Sequence, residues 1–275
     1  MNEKIIVNFS KLRPSLFALP LFFLMIIVVF LYCQNSLSPD KYVQIQKNCF
    51  LYLNSKLSQF PNTIYNLTQF GDALIFLSFL TLFIIYAPKI WESLLSASLV
   101  SAVFSRVLKN IFAIPRPAEA FDNNSFIIIG RRLPGFSSLP SGHSITVFTI
   151  LTVLFFAFMP KKMLYKISFG FLMISLGIIL VFTRVGVGAH HPLDVITGSI
   201  IGYICGLIGI FISRKFEIWS WINNKKYYPI FILLFIGCCI VLINKIINEN
   251  LIIFYFSLTS LVISLYKIIT VYVKK

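Results

Sequence analysis

Long runs of apolar residues, separated by short polar segments, set the pattern of this chain. A helix needs about 20 apolar residues, with a range of roughly 17 to 25, to cross the ~30 Å hydrocarbon core of a bilayer. Eight runs approach this length, and the second, third and seventh need flanking residues to reach it. The runs are Leu16–Cys33, Ala73–Pro88, Ser93–Leu108, His143–Met159, Ile167–Thr183, Val195–Ser213, Ile230–Ile243 and Leu251–Tyr266. The pattern predicts an all-α, polytopic membrane protein.

Two longer segments lie between the runs. Residues 34–71 mix apolar and polar positions, which predicts that part of this segment forms a helix along the membrane interface. Residues 110–140 carry several prolines and glycines, among them Pro115, Pro117 and Gly135. Because such residues interrupt helices, we expect the second segment to be an irregular lid rather than a soluble domain.

The composition agrees with a membrane protein. Hydrophobic residues make up 58% of the 275 positions and charged residues only 12%, against about 25% charged residues in soluble domains. The net charge of +15 is distributed over short loops. Basic loops orient a protein in the membrane and attract anionic lipids, which explains this charge better than a nucleic acid partner does. The five cysteines have no metal-site spacing. The sequence does not decide whether Cys33 and Cys49 form a disulfide.

The basic residues predict the orientation of the spans. With the N-terminus in the cytoplasm, fourteen of the 24 Lys and Arg residues lie on the inner side, nine on the outer side and Arg106 within a span. Cytoplasmic loops carry an excess of Lys and Arg, so we expect both termini in the cytoplasm. The segments around Lys109, Ser141 and His190 then lie on the outer face. An odd error in the number of spans before Lys109 would reverse this placement.

A first candidate cluster follows the third run. Lys109 and Arg116 are seven residues apart, which is close to two helical turns, but Pro115 and Pro117 discourage a continuous helix. We therefore expect Arg116 on a turn just beyond the helix. A planar Arg fork and a mobile Lys suit phosphate oxygens, although two interfacial anchors would use the same residues.

A second cluster, Pro140-Ser141-Gly142-His143, opens the fourth run. Ser141 suits the N-cap of a helix, and Gly142 lets a ligand approach the backbone closely. The free N–H groups at the start of that helix form an anion site, and His143 is placed to donate a proton to a bound anion. A capped helix with an interfacial histidine is the purely structural alternative.

A third cluster links the fifth and sixth runs. Arg184 ends the fifth run, and Pro192 suits the first turn of the next helix, which places Asp194 in that turn. His190 lies four residues before Asp194, so the carboxylate can bind one imidazole nitrogen and leave the other as a nucleophile. His191 competes for this role, but it is closer in sequence to Asp194 and adjoins Pro192.

Together the three clusters resemble the pattern of the type 2 phosphatidic acid phosphatase (PAP2) family, written K-x6-R-P, P-S-G-H and S-R-x5-H-x3-D. The resemblance covers roughly residues 70 to 213, and Thr183 departs from the pattern by replacing the usual Ser. It implies a six-helix membrane core that acts without a metal or another cofactor. We expect residues 1–70 to form an anchor helix and an extracytoplasmic loop, residues 71–213 the catalytic core, and residues 214–275 two extra C-terminal membrane helices.

The resemblance also implies a role for each motif residue. His190 would attack phosphorus and become a phosphohistidine, Asp194 would orient it, and His143 would protonate the leaving oxygen. Five residues would hold the phosphate: Lys109, Arg116, Ser141, Gly142 and Arg184. Apart from the resemblance, we expect the lid residues Arg131 and Arg132 to contact a second anionic group of the headgroup.

These roles predict a membrane lipid phosphatase. The compact loops favour a bacterial inner membrane, and the distribution of basic residues places the site on the periplasmic face. Its substrate would be a phosphorylated lipid, such as a polyprenyl diphosphate, phosphatidylglycerophosphate or lipid A 1-phosphate. Soluble vanadate haloperoxidases resemble the same pattern but lack the spans, and an intact His143 disfavours the lipid A 4′-phosphatase branch. A phosphotransferase that passes the phosphoryl group to a lipid or sugar hydroxyl stays open. A non-catalytic transporter is the third alternative, although the ionisable residues gather at span ends.

Overall fold

The chain folds as a bundle of helices. The computed structural model describes residues 1–274, which contain helices and turns but no strand. The helices are α1 (Asn2–Ser10), α2 (Ala18–Cys33), α3 (Pro39–Leu57), α4 (Pro61–Thr68), α5 (Ala73–Ser78), α6 (Phe83–Tyr86), α7 (Pro88–Phe112), α8 (Pro117–Ala120), α9 (Gly142–Ala157), α10 (Met163–Gly186), α11 (Pro192–Lys215), α12 (Tyr228–Glu249) and α13 (Ile252–Val273).

Six of these helices, with their adjoining turns, are long and apolar enough to cross a membrane. They are α2, α7, α10, α11, α12 and α13. A further apolar helix, α9, is shorter and has 16 residues. The prediction of an all-α, multi-pass membrane protein is therefore confirmed.

Helix α11 lies at the centre of the bundle and packs closely against α9 through glycines. A Cβ on Gly198 would overlap the carbonyl oxygen of Ser141, and a Cβ on Gly202 would overlap that of Ile145. Because residues four apart lie on one helix face, these glycines let the two backbones approach along a common seam. The seam fixes the start of α9 beside the start of α11.

The two ends of the bundle hold different segments. At the first, called the N-terminal end, the backbone N–H of Lys89 at the start of α7 donates to Oδ1 of Asn2 at 3.0 Å. At the same end, Nδ2 of Asn8 donates to the carbonyl of Ala157, where α9 finishes, at 3.0 Å. The opposite end, where α7 and α10 finish and α9 and α11 begin, is called the loop end.

The prediction of one membrane helix over Ala73–Pro88 is wrong. This segment forms α5 and α6, with a turn at residues 79–82 between them. Two hydroxyls bond to the segment's own backbone: Ser78 Oγ donates to the carbonyl of Leu74 at 2.6 Å, and Thr81 Oγ1 donates to the carbonyl of Ser78 at 2.8 Å. Such local bonds compete with the helical hydrogen-bond ladder.

Neighbouring side chains donate hydrogen bonds to the backbone carbonyl groups at this break. Nε1 of Trp91 donates to the carbonyl of Leu80 at 2.8 Å, and Oγ of Ser260 donates to the carbonyl of Ser78 at 2.9 Å. A broken helix is tolerated at membrane depth where protein groups satisfy its backbone. An apolar run alone does not encode these donors, so the sequence gives no sign of the break.

The broken segment nevertheless connects the two ends of the bundle. Gly71, just before α5, lies against the ring of His143 at the loop end, because a Cβ on Gly71 would overlap that ring. Pro88, just after α6, begins α7 at the N-terminal end. The chain therefore passes between the ends as many times before Lys109 as the eight-run prediction requires.

The loop end is covered by α3 and α4, so the expectation of a helix within residues 34–71 is confirmed. One face of α3 is buried, through Tyr42, Val43, Gln46, Phe50 and Asn54. Nδ2 of Asn54 donates to the carbonyls of Val185 and Gly186, both at 3.1 Å, which ties α3 to the end of α10. Cys33 and Cys49 are both free and exposed.

The last two helices, α12 and α13, pack against each other and against the first half of the broken segment. Nζ of Lys245 lies 3.2 Å from Oδ2 of Asp72, and the Tyr65 hydroxyl donates to Oε2 of Glu249 at 3.0 Å. These contacts attach the C-terminal pair to the loop end of the bundle.

Candidate active site

Lys109 and Arg116 reach the loop end from either side of a sharp turn. Lys109 lies in the last turn of α7, and the C-cap residue Ala113 is left-handed with φ 46°. Arg116 is extended and caps the start of α8, so it lies beyond the helix as its flanking prolines predict. Its backbone N–H donates to the carbonyl of Gly135 at 2.9 Å, and its Nε donates to Oγ of Ser137 at 3.3 Å. The lid therefore holds Arg116 in place.

The start of α9 has the geometry of a capped helix. Oγ of Ser141 accepts a bond from the backbone N–H of Ser144 at 3.4 Å. The backbone N–H of Ser141 donates to the carbonyl of Asp194 at 3.0 Å, which joins the second cluster to the third. A Cβ on Gly142 would lie 3.3 Å from Nζ of Lys109. The absence of a side chain at Gly142 therefore lets the Lys109 ammonium group approach the helix start.

Arg184 is buried near the end of α10, with only 6% of its surface exposed. Its Nη1 donates to Oγ1 of Thr68 at 3.0 Å, whereas its Nε is buried and has no partner among residues 1–274. Buried donors normally have a hydrogen-bond partner. A phosphate oxygen is the kind of acceptor that a guanidinium group binds well.

The cations of the three clusters lie together and are not neutralised. The charges of Arg184, Lys109 and Arg116 all act on the ring of His143. Within residues 1–274, Lys109, Arg116 and Arg184 form no ion pair. A site with this surplus of positive charge attracts anions.

The carboxylate of Asp194 is fully buried and accepts three hydrogen bonds. The Tyr42 hydroxyl donates to Oδ1 at 2.8 Å. The Ser138 hydroxyl and the backbone N–H of His191 donate to Oδ2, at 2.6 and 2.9 Å. Because hydrogen bonds to an ionised acceptor are strong, these donors fix the carboxylate in one orientation.

His190 approaches this carboxylate less directly than the spacing predicts. Its Nδ1 lies 3.7 Å from Oδ2 of Asp194, beyond hydrogen-bond distance, and 3.4 Å from Oγ of Ser138. Since the Ser138 hydroxyl donates its proton to Asp194, its oxygen is free to accept the proton of Nδ1. This assignment leaves Nε2 of His190 with the lone pair that a nucleophile needs.

Burial keeps the His190 ring neutral. The residue is 1% exposed, and this burial lowers its pKa from 6.5 to about 3. The nearby carboxylate of Asp194 opposes the shift, whereas the charges of Arg116 and Arg184 add to it. Burial and the charge of Asp194 also raise the pKa of Tyr42, so its phenol remains a donor. At neutral pH the ring is therefore uncharged and could act as a base or a nucleophile.

The competing histidine, His191, occupies a different environment. Its Nε2 lies 3.0 Å from the carbonyl of Pro115 and therefore donates to it. Its ring packs edge-on against Phe50 and Phe121, and its Nδ1 is buried without a partner in the described part of the chain. These contacts give His191 a packing role, which favours His190 as the nucleophile.

Sequence reasoning missed Tyr42, Thr68 and Ser138, each of which bonds to a motif side chain. A signal for Tyr42 is present in α3, where Tyr42, Gln46 and Asn54 are spaced by multiples of four residues. Such spacing places polar groups on one helix face, and that face is buried here. No spacing rule connects Thr68 or Ser138 to the clusters.

The two lid arginines lie apart from the cluster. Arg131 and Arg132 are exposed, and Nη2 of Arg132 donates to the carbonyl of Ala118 at 3.2 Å. Neither is among the charges that act on His143. Within residues 1–274, no group of three or more His, Cys, Asp or Glu side chains is arranged to hold a metal ion.

Comparison with known proteins finds a family whose model matches the segment that holds these clusters. The family model for the PAP2 superfamily matches residues 90–218. Lipid A 1-phosphatases of Rhizobium etli and Rhizobium johnstonii are each 34% identical over 122 residues, which cover 43% of this chain and 48% and 46% of theirs. The chain thus matches about half the length of these relatives.

A solved structure is also similar. The crystal structure of Aquifex aeolicus LpxE matches 61% of this chain and 95% of its own, with 27% sequence identity and a TM-score of 0.49. The family match spans all three clusters, from Lys109 to Asp194. Residues 90–218 of the chain therefore match the PAP2 superfamily, the family that the three clusters resemble.

Proposed function

We propose that this protein is a membrane lipid phosphatase that works through a phosphohistidine on His190. The observation that carries the proposal is a neutral His190, whose Nδ1–H faces Ser138 and Asp194, in a buried site with unpaired cations. A phosphoryl group in transfer needs cations around its equatorial oxygens and a nucleophile in line. The arrangement supplies both from this chain's own residues.

In the first step, Nε2 of His190 attacks phosphorus, and the bond between phosphorus and the lipid oxygen breaks. The bound phosphate anion favours the protonated form of His143. This ring donates its proton to that oxygen, so the lipid leaves as an alcohol or, from a diphosphate, as a monophosphate. The positive charge that develops on the His190 ring is stabilised through Ser138 by the Asp194 carboxylate, as in other oriented histidines. Lys109, Arg116 and Arg184 hold the phosphoryl oxygens.

In the second step, water attacks the phosphohistidine. His143, now neutral, accepts a proton from that water, and the bond between phosphorus and Nε2 of His190 breaks. Inorganic phosphate leaves, and both histidines return to their starting states. The N–H groups at the start of α9, next to Gly142, would bind the phosphate in both steps.

The substrate that we propose is a phosphorylated lipid whose headgroup lies at the loop end. The names of the two Rhizobium relatives favour a lipid A-type 1-phosphate. Polyprenyl diphosphates and phosphatidylglycerophosphate share the chemistry. The excess of basic residues at the N-terminal end supports an inner-membrane location in which the loop end faces the periplasm.

The test is phosphate release by purified protein in detergent, with lipid A, a polyprenyl diphosphate and phosphatidylglycerophosphate as alternative substrates. His190→Gln should abolish turnover, whereas the adjacent His191→Gln, which can still donate to the Pro115 carbonyl, should keep most of it. Vanadate should inhibit, and chelators should leave the rate unchanged. Turnover by His190→Gln near the unaltered level would overturn the assignment. Loss of lipid phosphate with no inorganic phosphate released would favour a phosphotransferase.

A further inference from the structure

A polar cavity lies at the N-terminal end, remote from the histidines of the candidate active site. It has a volume of about 560 Å³, within the range of roughly 300–1,000 Å³ that is usual for ligand sites. It lies between the turn that follows α1, the end of α9 and the start of α10. The proposed phosphatase reaction uses no residue of this cavity.

Four cations line this cavity without compensation. They are Lys11, Arg13, Lys161 and Lys166, and no acidic residue lines the cavity with them. In the described residues 1–274, none of the four is in an ion pair. Basic residues are expected on the cytoplasmic side of a membrane protein, but here they converge from three segments on one cavity.

Most of the remaining cavity wall is apolar. Leu12, Leu16, Phe156 and Met159 form this part, with Pro160 in the α9–α10 turn, and the polar side chains of Asn8 and Ser15 complete the wall. A soluble anion would gain nothing from these side chains. A cavity with cations at one side and aliphatic and aromatic groups at the other suits an amphiphile with an anionic headgroup.

An apolar groove lies next to this cavity, farther along α9 and α10. Its volume is about 360 Å³, and α2, α9 and α10 line it together with α11. On α10, Gly170 lines the groove and lies one helical turn beyond Lys166, on the same face. On α9, Phe155 lines the groove next to Phe156 of the cavity, and on α2, Leu19 lies one turn beyond Leu16. The basic cavity and the groove therefore follow one another from the bundle end towards the middle of the membrane.

We propose that the cavity and the groove together bind one anionic phospholipid of the leaflet opposite the proposed catalytic site. The phosphate of its headgroup would contact the four cations, and an acyl chain would lie in the groove past Gly170. Basic pockets between membrane helices are known binding sites for anionic headgroups. The proposal is independent of the phosphatase reaction, because the two sites lie at opposite ends of the bundle.

Binding is measured on purified protein in a neutral detergent, as the rise in melting temperature and by native mass spectrometry. Phosphatidylglycerol should stabilise the protein, and phosphatidylcholine should not. Arg13→Gln with Lys166→Gln should weaken phosphatidylglycerol binding about 10- to 30-fold. The matched pair Lys225→Gln with Lys226→Gln removes two exposed cations of the same end outside the cavity, and should leave binding unchanged. Equal effects of the two lipids, or of the two charge pairs, would overturn the proposal.

The groove is tested separately by filling it. A Cβ on Gly170 would lie 3.6 Å from the ring of Phe155, so Gly170→Leu places a side chain in the path of the acyl chain and should weaken binding. Gly237→Leu is the control, since a Cβ on Gly237 meets no atom within 4 Å. Unchanged binding by Gly170→Leu, or equal stabilisation by glycerol 3-phosphate alone, would contradict a lipid ligand. Phosphate release by every variant verifies that it is folded.

Discussion

The hydroxyl of Ser138 donates to Oδ2 of Asp194 at 2.6 Å, and this bond places a serine oxygen between the carboxylate and the His190 ring. The direct distance from His190 to the carboxylate is 3.7 Å. The orientation of the proposed nucleophile therefore depends on Ser138 as well as on the aspartate that the motif contains.

Ser138→Ala should lower kcat and leave KM almost unchanged, because the Nδ1 proton of His190 loses its acceptor while the phosphate cations stay in place. A hydrogen bond in a charged network contributes about 1.5–3 kcal/mol, which corresponds to a roughly 10- to 100-fold loss of rate. Its neighbour provides the control. Ser137→Ala removes the contact with Nε of Arg116 and should act mainly on KM. Equal KM effects of the two variants would contradict a positioning role for Ser138.

Thr68→Val should weaken phosphate binding, because it deprives Nη1 of the buried Arg184 of its acceptor and lets the guanidinium group move. Thr68→Ser keeps the hydroxyl and should preserve binding. The measurement is the inhibition constant for vanadate, together with KM for the lipid. If valine and serine at this position give the same inhibition constant, Thr68 does not position Arg184.

The stability of the protein should fall as the pH is lowered from about 6.5, in part because of His190. Its folded-state pKa of about 3 is below the unfolded value of 6.5, so between these values the unfolded chain binds an extra proton. The associated stability is fully present above pH 6.5. Between pH 6.5 and about 3, each lower pH unit reduces the free energy of unfolding by about 1.4 kcal/mol.

His190→Gln removes this titration and leaves the other two histidines in place. The unfolding midpoints of both proteins in detergent, compared at pH 7 and pH 5, isolate its effect. The unaltered protein should lose more stability than the variant over this interval. An equal loss in both would indicate that the His190 ring is not held neutral by burial.

The orientation of the loop end can be tested with natural cysteines. Cys49 is exposed on α3, which covers that end, so a membrane-impermeant maleimide should label it from the periplasmic side of intact spheroplasts. Cys33→Ser removes the other exposed cysteine. In a chain that also carries Cys49→Ser, Lys226→Cys at the N-terminal end should react only after lysis. The reverse pattern would place the proposed active site in the cytoplasm.

The three clusters were predictable because their residues follow fixed spacings at the ends of apolar runs. Pro115 and Pro117 end α7 before Arg116, and Ser141 caps α9, for reasons that are local in the chain. The contacts of Tyr42 and Ser138 with Asp194 span 152 and 56 residues. Such contacts depend on how the helices pack, which a single sequence does not encode as a spacing.

The break between α5 and α6 shows the same limit. An apolar run with Ser78 and Thr81 has the composition of a continuous span. The side chains that donate hydrogen bonds to the carbonyl groups at the break, Trp91 and Ser260, belong to other helices. Local pattern predicts that this segment lies inside the bundle. The shape of the segment is decided by its neighbours.

The length of α9 bears on the kind of bilayer in which the protein works. Its 16 residues rise only about 24 Å, whereas the hydrocarbon layer is ~30 Å thick. If the end of this helix lies at one boundary of that layer, His143 lies about 6 Å beneath the other. Hydrophobic mismatch of this kind thins the surrounding lipid or draws headgroups downward, so a substrate phosphate would reach the histidines most easily in a thin membrane.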